Sequence, residues 1–276
     1  MIRSVPADLH LHTTASDGSW NACELVARAR GLGLTAIAIT DHDTVDAFHC
    51  LKMGQPTNLE VITGIEFSTE FENHEVHILG YGIDVANQEL LATLQQLRVE
   101  REIRAETMVE RLKKLGCQIA YSRVQQLAGH GTIGRVHIAQ ALIESGYIKS
   151  IKEGFSRYLE MNGPAYVPRR KLSVSKAIDL ITASGGIPVL AHPVLVGNDD
   201  LIGVLIDMGL LGLEVVHSSH TPEQMMRYRQ MAEELCLVPT GGSDCHGPKD
   251  HEEPLIGKYV IPDGWVGKLK ELLSET

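Results

Sequence analysis

Short apolar runs of strand length alternate with amphipathic helical segments over most of the 276 residues, and this alternation restricts the fold more than any other feature. DLHLH (8–12) reads as a strand. NACELVARARGLG (21–33) reads as a helix, with Leu25, Val26 and Ala29 at helical spacing and glycines at its end. TAIAIT (35–40) is a continuous apolar run, as a strand covered on both faces would be. LEVITGIEFSTEF (59–71) and EVHILGYGI (75–83) read as strands joined by a hairpin loop at FENHE. After an interruption the alternation resumes: helix SVSKAIDLITASGG, strand IPVLAH (187–192), helix NDDLIGVLIDMG, strand LGLEVVH (211–217), and helix TPEQMMRYRQMAEEL with a Thr cap and Pro at its first position. LVPTGGSDCH (237–246) is a strand running into a polar loop, and a last helix lies near 264–274. Strands alternating with helices imply a parallel sheet, and about seven such units in this length imply an α/β barrel, closed or nearly so.

The interruption has a different texture. Residues 88–160 read as helical throughout, beginning with the long QELLATLQQLRVEREIRAETMVERLKKLG and ending before GPAYVP (163–168). The expectation is an inserted helical subdomain over 86–167, with the barrel drawn from 1–85 and 168–276.

With 35 acidic against 25 basic residues the formal charge is −10, which disfavours coating of bulk DNA, because phosphate-driven binding needs a basic surface. A small anion remains acceptable, since a local pocket can oppose the sign of the whole. Five cysteines without a CxxC pair fit reduced thiols better than a disulfide framework. The N-terminus MIRSVPADLH has no apolar run of signal-peptide length, and no stretch approaches a membrane span of roughly 20 apolar residues. A soluble cytoplasmic protein without membrane attachment is expected.

The placement of the ionisable residues is more telling than their number. His10 and His12 close the first strand; Asp17 follows in a Ser-Asp-Gly turn; Asp41, His42 and Asp43 follow the second strand. Glu66 and His77 lie on the third and fourth strands. His192 and His217 end later strands, His220 lies just beyond, and Asp244 and His246 follow the last. In a barrel of this kind the C-terminal strand ends converge on one face. Each element alone has a plain alternative: a structural histidine pair, a polar turn, a capped loop, a satisfied core histidine. Glu66 and His77 sit in apolar strands, where an unpaired charge is costly, so partners are expected. Together the residues point to a metal site. Imidazoles and carboxylates without cysteine suit zinc, manganese or iron; Cys245, between Asp244 and His246, would point away from them.

HLHTTASDGS, ITDHDT, GIEFS, VHILGYG, AHP and GSDCHG, in this order, resemble the motifs of the PHP (polymerase and histidinol phosphatase) family. The resemblance implies a distorted (β/α)7 TIM-like barrel binding up to three divalent ions. By that resemblance His10, His12, Glu66 and Asp244 would hold one ion; Glu66, as a bridge, with His77 and His192 a second; and Asp17, His42 and His246 a third. With three such ions, the three carboxylates and a bridging hydroxide, the site would carry roughly +2, a setting for a phosphate ester. It would act by attack of a metal-bridging water, with His42, His246 or His220 as candidate acid or substrate contacts.

Within the family, GTIGRVHIAQALIESG and RYLEMNGPAYVP resemble a branch of 3′,5′-nucleoside bisphosphate phosphatases and 5′-to-3′ exoribonucleases, in which the helical segment supplies phosphate-clamping arginines. Arg135 matches by motif, and Arg101 and Arg104 by position. Arg135 and His137 also fall in the first turn of a helix, where free amides favour an anion. Arg98–Glu102 and Glu100–Arg104 are, equally, i,i+4 pairs of a solvated helix. Relatives of this branch carry Gly-Lys-Pro where this chain has Asn162-Gly163-Pro164, so a lysine is missing. The expected partner is a small phosphorylated substrate, a nucleotide or a short RNA 5′ end. The rival readings are a histidinol phosphate phosphatase, a non-catalytic PHP module and an amidohydrolase.

Overall fold

The computed structural model describes residues 6–51, 58–72, 74–129, 131–168, 171–248 and 253–275. The first five residues of the N-terminal segment, and Asn73 of the expected hairpin loop, lie outside the described residues. The chain divides into two compact units, Met1–Leu91 with Lys171–Thr276, and Ala92–Arg170.

The first unit begins with β1 (Ala7–Leu11), α1 (Ala22–Gly31) and β2 (Ala36–Ile39), followed by a 3-10 turn over Asp46–Cys50. Asn21 caps α1 and Glu24 reaches back to the Asn21 amide, a capping box that fixes where the helix starts. Next come β3 (Glu60–Phe71) and β4 (His74–Tyr81), and then α2 (Gln88–Lys114), which runs on into the second unit. In the second unit follow α3 (Tyr121–Ala128), α4 (Arg135–Glu144), α5 (Ile151–Gly154) and a π-helical turn over Phe155–Leu159. The first unit resumes with β5 (Leu172–Ser173), α6 (Val174–Ala183), β6 (Ile187–Leu190), α7 (Pro193–Val196), α8 (Leu201–Asp207), β7 (Gly212–Val216), α9 (Pro222–Glu234), β8 (Val238–Gly241) and α10 (Asp263–Glu275).

The strands form one sheet in the order β1-β2-β3-β4-β6-β7-β8, with the short β5 beside β3. Parallel pairing holds except around β4, which runs antiparallel to both β3 and β6. The physical reason is the tight β3–β4 turn: two strands joined by a hairpin cannot run parallel, which needs a crossover of a dozen or more residues. The sheet returns on itself just beyond β8. The His12 amide donates to the Cys245 carbonyl (3.1 Å) and the Asp244 amide to the His10 carbonyl (2.9 Å). Gly242 allows this approach, since a Cβ there would overlap the His10 backbone and crowd Asp8 Oδ1 at 2.8 Å. The result is a nearly closed, distorted α/β barrel.

Tyr81, Leu9, Leu79, Ile187 and Val189 are fully buried in the barrel unit, with Leu269 of α10 in the same cluster. The helical unit has its own core of Met108, Val109, Leu112, Val124, Ile138, Leu142 and Leu159. Such a core lets α2 remain helical although its exposed surface is strongly charged. Among the described residues no helix is long and apolar enough to cross a membrane. Cys23, Cys117, Cys236 and Cys245 are free thiols.

Candidate metal centre

The barrel brings its ionisable residues to one place, around Glu66. This carboxylate is 1% exposed, in the middle of an otherwise apolar strand. Its Oε1 lies 2.8 Å from His77 Nδ1 and 3.0 Å from His192 Nε2. Its Oε2 lies 2.9 Å from His42 Nδ1, 3.3 Å from His12 Nε2 and 3.4 Å from His10 Nε2. Five histidines, brought in by several separate segments, thus surround one carboxylate. Burial would push the Glu66 carboxyl up, but His42, His77 and His10 hold it well below the usual range.

Asp244 forms a second focus. Its Oδ1 is 3.0 Å from His12 Nε2 and 3.6 Å from His10 Nε2, and its Oδ2 is 3.5 Å from His217 Nε2. Asp17 forms a third: its Oδ1 is 3.2 Å from His246 Nε2 and 3.9 Å from His12 Nδ1. Among the described residues, four overlapping groups have donor atoms within 4.8 Å of one another: His12, Asp17, His42 and His246; His10, His12 and Glu66; His10, His217 and Asp244; and His42, Glu66 and His77. All nine residues expected as ligands therefore meet in one region. The grouping differs from the expected partition. His12 lies between the Glu66 and Asp17 foci, Asp244 groups with His10 and His217, and His42 rather than His192 stands with Glu66 and His77; His192 belongs to none of the four groups and reaches the region through Glu66 Oε1.

The region is built to point lone pairs inward. His10 Nε2, His12 Nε2 and Glu66 Oε2 are buried and make no hydrogen bond. Nitrogen and oxygen lone pairs facing one another without a proton between them repel, and buried polar atoms are normally satisfied. A cation removes both costs, so the donor set fits divalent metal ions, and its lack of sulfur suits zinc, manganese or iron. Cys245 stands apart: its sulfur accepts from the Gly247 amide at 3.3 Å. Burial, and then the neighbouring His246, lower the His12 pKa to about 4, whereas at His10, His42, His77 and His246 nearby carboxylates outweigh burial and raise the pKa, adding protons that a bound ion would displace.

The surrounding loops are pinned by groups that take no part in the cluster. Asp41 accepts from the Thr13 amide (2.7 Å), the Thr13 hydroxyl (2.6 Å) and the Ser16 hydroxyl (2.5 Å), fixing the turn that carries Asp17. Gly18 completes that turn, and a Cβ there would sit 2.5 Å from the His12 carbonyl. His192 adopts φ 26°, a rare conformation for a non-glycine residue, and its amide donates to Glu214 Oε2 at 2.6 Å. Glu214, which sequence reasoning passed over, is fully buried and its Oε1 is 2.9 Å from His10 Nδ1. The signal was available: a carboxylate within LGLEVVH carries the same burial cost that drew attention to Glu66.

His220 lies outside the four groups. Its Nδ1 is 2.9 Å from the Val215 carbonyl, and its ring packs beside those of Tyr228 (5.0 Å) and His217 (5.4 Å). The expected phosphate contacts belong to the helical unit. Arg135 is the first residue of α4; its guanidinium lies over the Phe155 ring at 5.0 Å and donates to the Leu159 carbonyl at 3.3 Å. His137 Nδ1 accepts from the Gly134 amide at 3.0 Å, which closes the start of α4. Arg101 and Arg104 line a groove of about 230 Å³ with Leu97, Val167 and Pro168, and Arg104 Nε donates to the Val167 carbonyl at 2.7 Å. The i,i+4 pair Arg98–Glu102 forms, at 3.7 Å.

A family model described as the PHP domain matches residues 8–164. The chain belongs to the PHP domain family. It is 36% identical over 273 residues to the 5′-3′ exoribonuclease Rnm of Escherichia coli K12, covering 94% of this chain and 91% of that protein. It is 31% identical over 251 residues to a 3′,5′-nucleoside bisphosphate phosphatase of Chromobacterium violaceum, covering 87% of each. A crystal structure from Bifidobacterium adolescentis, described as a metal-dependent phosphoesterase, superposes with a TM-score of 0.83 at 30% identity, covering 96% of both chains. The barrel, the clustered histidines and carboxylates, and relatives of this kind make the chain a metal-dependent PHP phosphoesterase.

Proposed function

We propose that this phosphoesterase hydrolyses phosphate esters of nucleotides, as a 3′,5′-nucleoside bisphosphate phosphatase releasing phosphate, a 5′-to-3′ exoribonuclease releasing nucleotides from short RNA, or both. The observation that carries the reading is the convergence of five histidines on the buried Glu66, with Asp17 and Asp244 beside it. The substrate class is supported by the activities named for relatives that align over most of the chain.

The ion-holding residues in this reading are His10, His12, Asp17, His42, Glu66, His77, His192, Asp244 and His246. Bound manganese, zinc or iron would supply an acidified water and positive charge for the phosphate oxygens. The protein does the rest. Glu66 orients the imidazoles gathered around it. Asp41 holds the loop that presents Asp17. Arg135, at the N-terminal end of α4, offers a guanidinium and the positive end of a helix to a phosphate. Arg101, Arg104 and His137 are further candidates for phosphate contact, and the cytoplasm is the expected compartment.

The test is to purify the protein, measure bound metals, and assay phosphate or nucleotide release with added Mn²⁺. Substrates are 3′,5′-bisphosphates, 5′-phosphorylated oligoribonucleotides and histidinol phosphate. Turnover of the nucleotides is expected to exceed that of histidinol phosphate; failure on all of them with metal bound would overturn the reading. Glu66→Gln is expected to lower metal affinity by more than the roughly 10- to 100-fold typical of outer partners, measured by chelator competition.

A further inference from the structure

Glu214 of β7 is not a member of any ligand group, yet it touches two of the residues expected as ligands. Its position is unusual for a carboxylate: fully buried, between Leu213 and Val215, which are also buried. Oε1 meets His10 Nδ1 at 2.9 Å and Oε2 meets the His192 amide at 2.6 Å. His10 stands on β1, while His192 follows β6. The carboxylate therefore spends both oxygens, one on a side chain and one on a backbone.

An ionised carboxylate only accepts hydrogen bonds. Glu214 Oε2 accepts from the His192 amide and Oε1 lies at hydrogen-bond distance from His10 Nδ1, so the carboxylate can only accept at both ends. A neutral His10 ligand then carries its proton on Nδ1, which leaves Nε2 to face Glu66 Oε2 and Asp244 Oδ1 at 3.4 and 3.6 Å. Without that contact His10 could place its proton on Nε2, toward the same carboxylates, and would be lost as a ligand. The second bond acts on shape. His192 holds its φ of 26° with its amide donated to Glu214, and this backbone sets the ring that reaches Glu66 Oε1 at 3.0 Å.

We infer that Glu214 is a positioning residue for the metal centre: it fixes the Nδ1–H tautomer of His10 and clamps the strained backbone of His192, so that two histidines from different segments face Glu66 together. The inference rests on the reading of this cluster as a metal centre and not on the choice of substrate.

Two measurements test it on the full chain. The first needs no mutation. In zinc-loaded protein labelled with ¹⁵N at histidine, His10 is expected to carry its proton on Nδ1; a proton on Nε2 overturns the inference. The second compares zinc affinity, by chelator competition, among wild type, Glu214→Gln and Glu214→Asp. The Gln variant has one acceptor oxygen for two donors, so its affinity is expected to fall roughly 10- to 100-fold, with partial recovery in Asp. Unchanged affinity in a folded Gln variant overturns the inference and leaves the metal centre standing. Wild-type protein that binds no zinc, manganese or iron overturns both. Phosphate release at saturating metal gives a separate readout: if it collapses while zinc affinity and the His10 tautomer are unchanged, Glu214 does not act through the ligands and the inference fails.

Discussion

Single residues carry several of the tolerances on which the site depends. Asp8 is one. Fully buried, it accepts from the Ser243 amide at 2.8 Å and the Gly257 amide at 2.9 Å, and so ties β1 to segments that follow β8. Burial raises its carboxyl to about 6, and the Gly257 and Ser243 amides restrain that rise. Asp8→Ala leaves two buried amides without an acceptor and is expected to cost about 2–4 kcal/mol, read from the denaturation midpoint. Asp8→Asn keeps one acceptor and should lose about half as much. At this scale the sequence was most informative about ligands and least informative about their supports. His10, His12 and His192 announce themselves because few side chains do what imidazole does at a strand end, and His77 because it interrupts an apolar strand. Asp41 and Asp8 look like any carboxylate, and although the apolar setting of Glu214 marks it as costly, the role of all three depends on which amide or ring lies about 3 Å away in space, which residue type does not encode.

At the scale of elements, α4 and the π-helical turn form a working pair. The turn supplies both the Phe155 ring beneath Arg135 and the Leu159 carbonyl that receives it. A π turn in this place agrees with the tendency of such turns to occur at functional sites. Arg135→Ala is expected to lower activity on phosphorylated nucleotides roughly 10- to 100-fold, as the loss of a charged hydrogen bond would, with metal content unchanged. Unaltered activity would remove Arg135 from the binding site. The missing lysine also acquires a local explanation. A Cβ at Gly163 would lie 2.6 Å from the Tyr158 carbonyl, and the preceding Asn162 adopts φ 70°. The turn is shaped for a residue with no side chain, so Gly163→Lys should lower the melting temperature rather than restore a contact. Helix positions were readable from apolar spacing and caps. The short α7 and β5 were not, since elements of two to four residues carry no periodicity.

For the whole molecule, the concentration of imidazoles makes stability depend on pH in a metal-sensitive way. Burial alone would lower the pKa of His77, but Glu66 and then Glu75 raise it from 6.5 to about 10. Burial would likewise lower His246, and Asp17 and then Asp244 raise it to about 9. Between 6.5 and those values the folded, metal-free chain holds protons that the unfolded chain has lost, so its stability falls as pH rises through that window. Metal competes for the same nitrogens, so affinity should rise with pH and binding should release protons. Thermal melts of metal-free and Zn²⁺-loaded protein at about pH 6.5, 8 and 9.5 should therefore diverge; parallel curves would show that these imidazoles do not meet the ion. Fold class was legible because the alternation of strand and helix is a local pattern. The reversal of β4 was legible only through its hairpin, and its effect extends beyond the sheet. Tyr81, the last residue of β4, pairs with Gly64, whereas Leu172, where the chain re-enters, pairs with Thr69. Those anchor points are five residues apart along β3, roughly 17 Å at strand rise. A two-residue loop joined directly from Tyr81 to Leu172 would therefore pull β4 or β5 out of register, since the span needs at least about five extended residues. A deletion variant lacking residues 92–170 keeps residues 82–91 after Tyr81, which are long enough to serve as that bridge once they leave the helix.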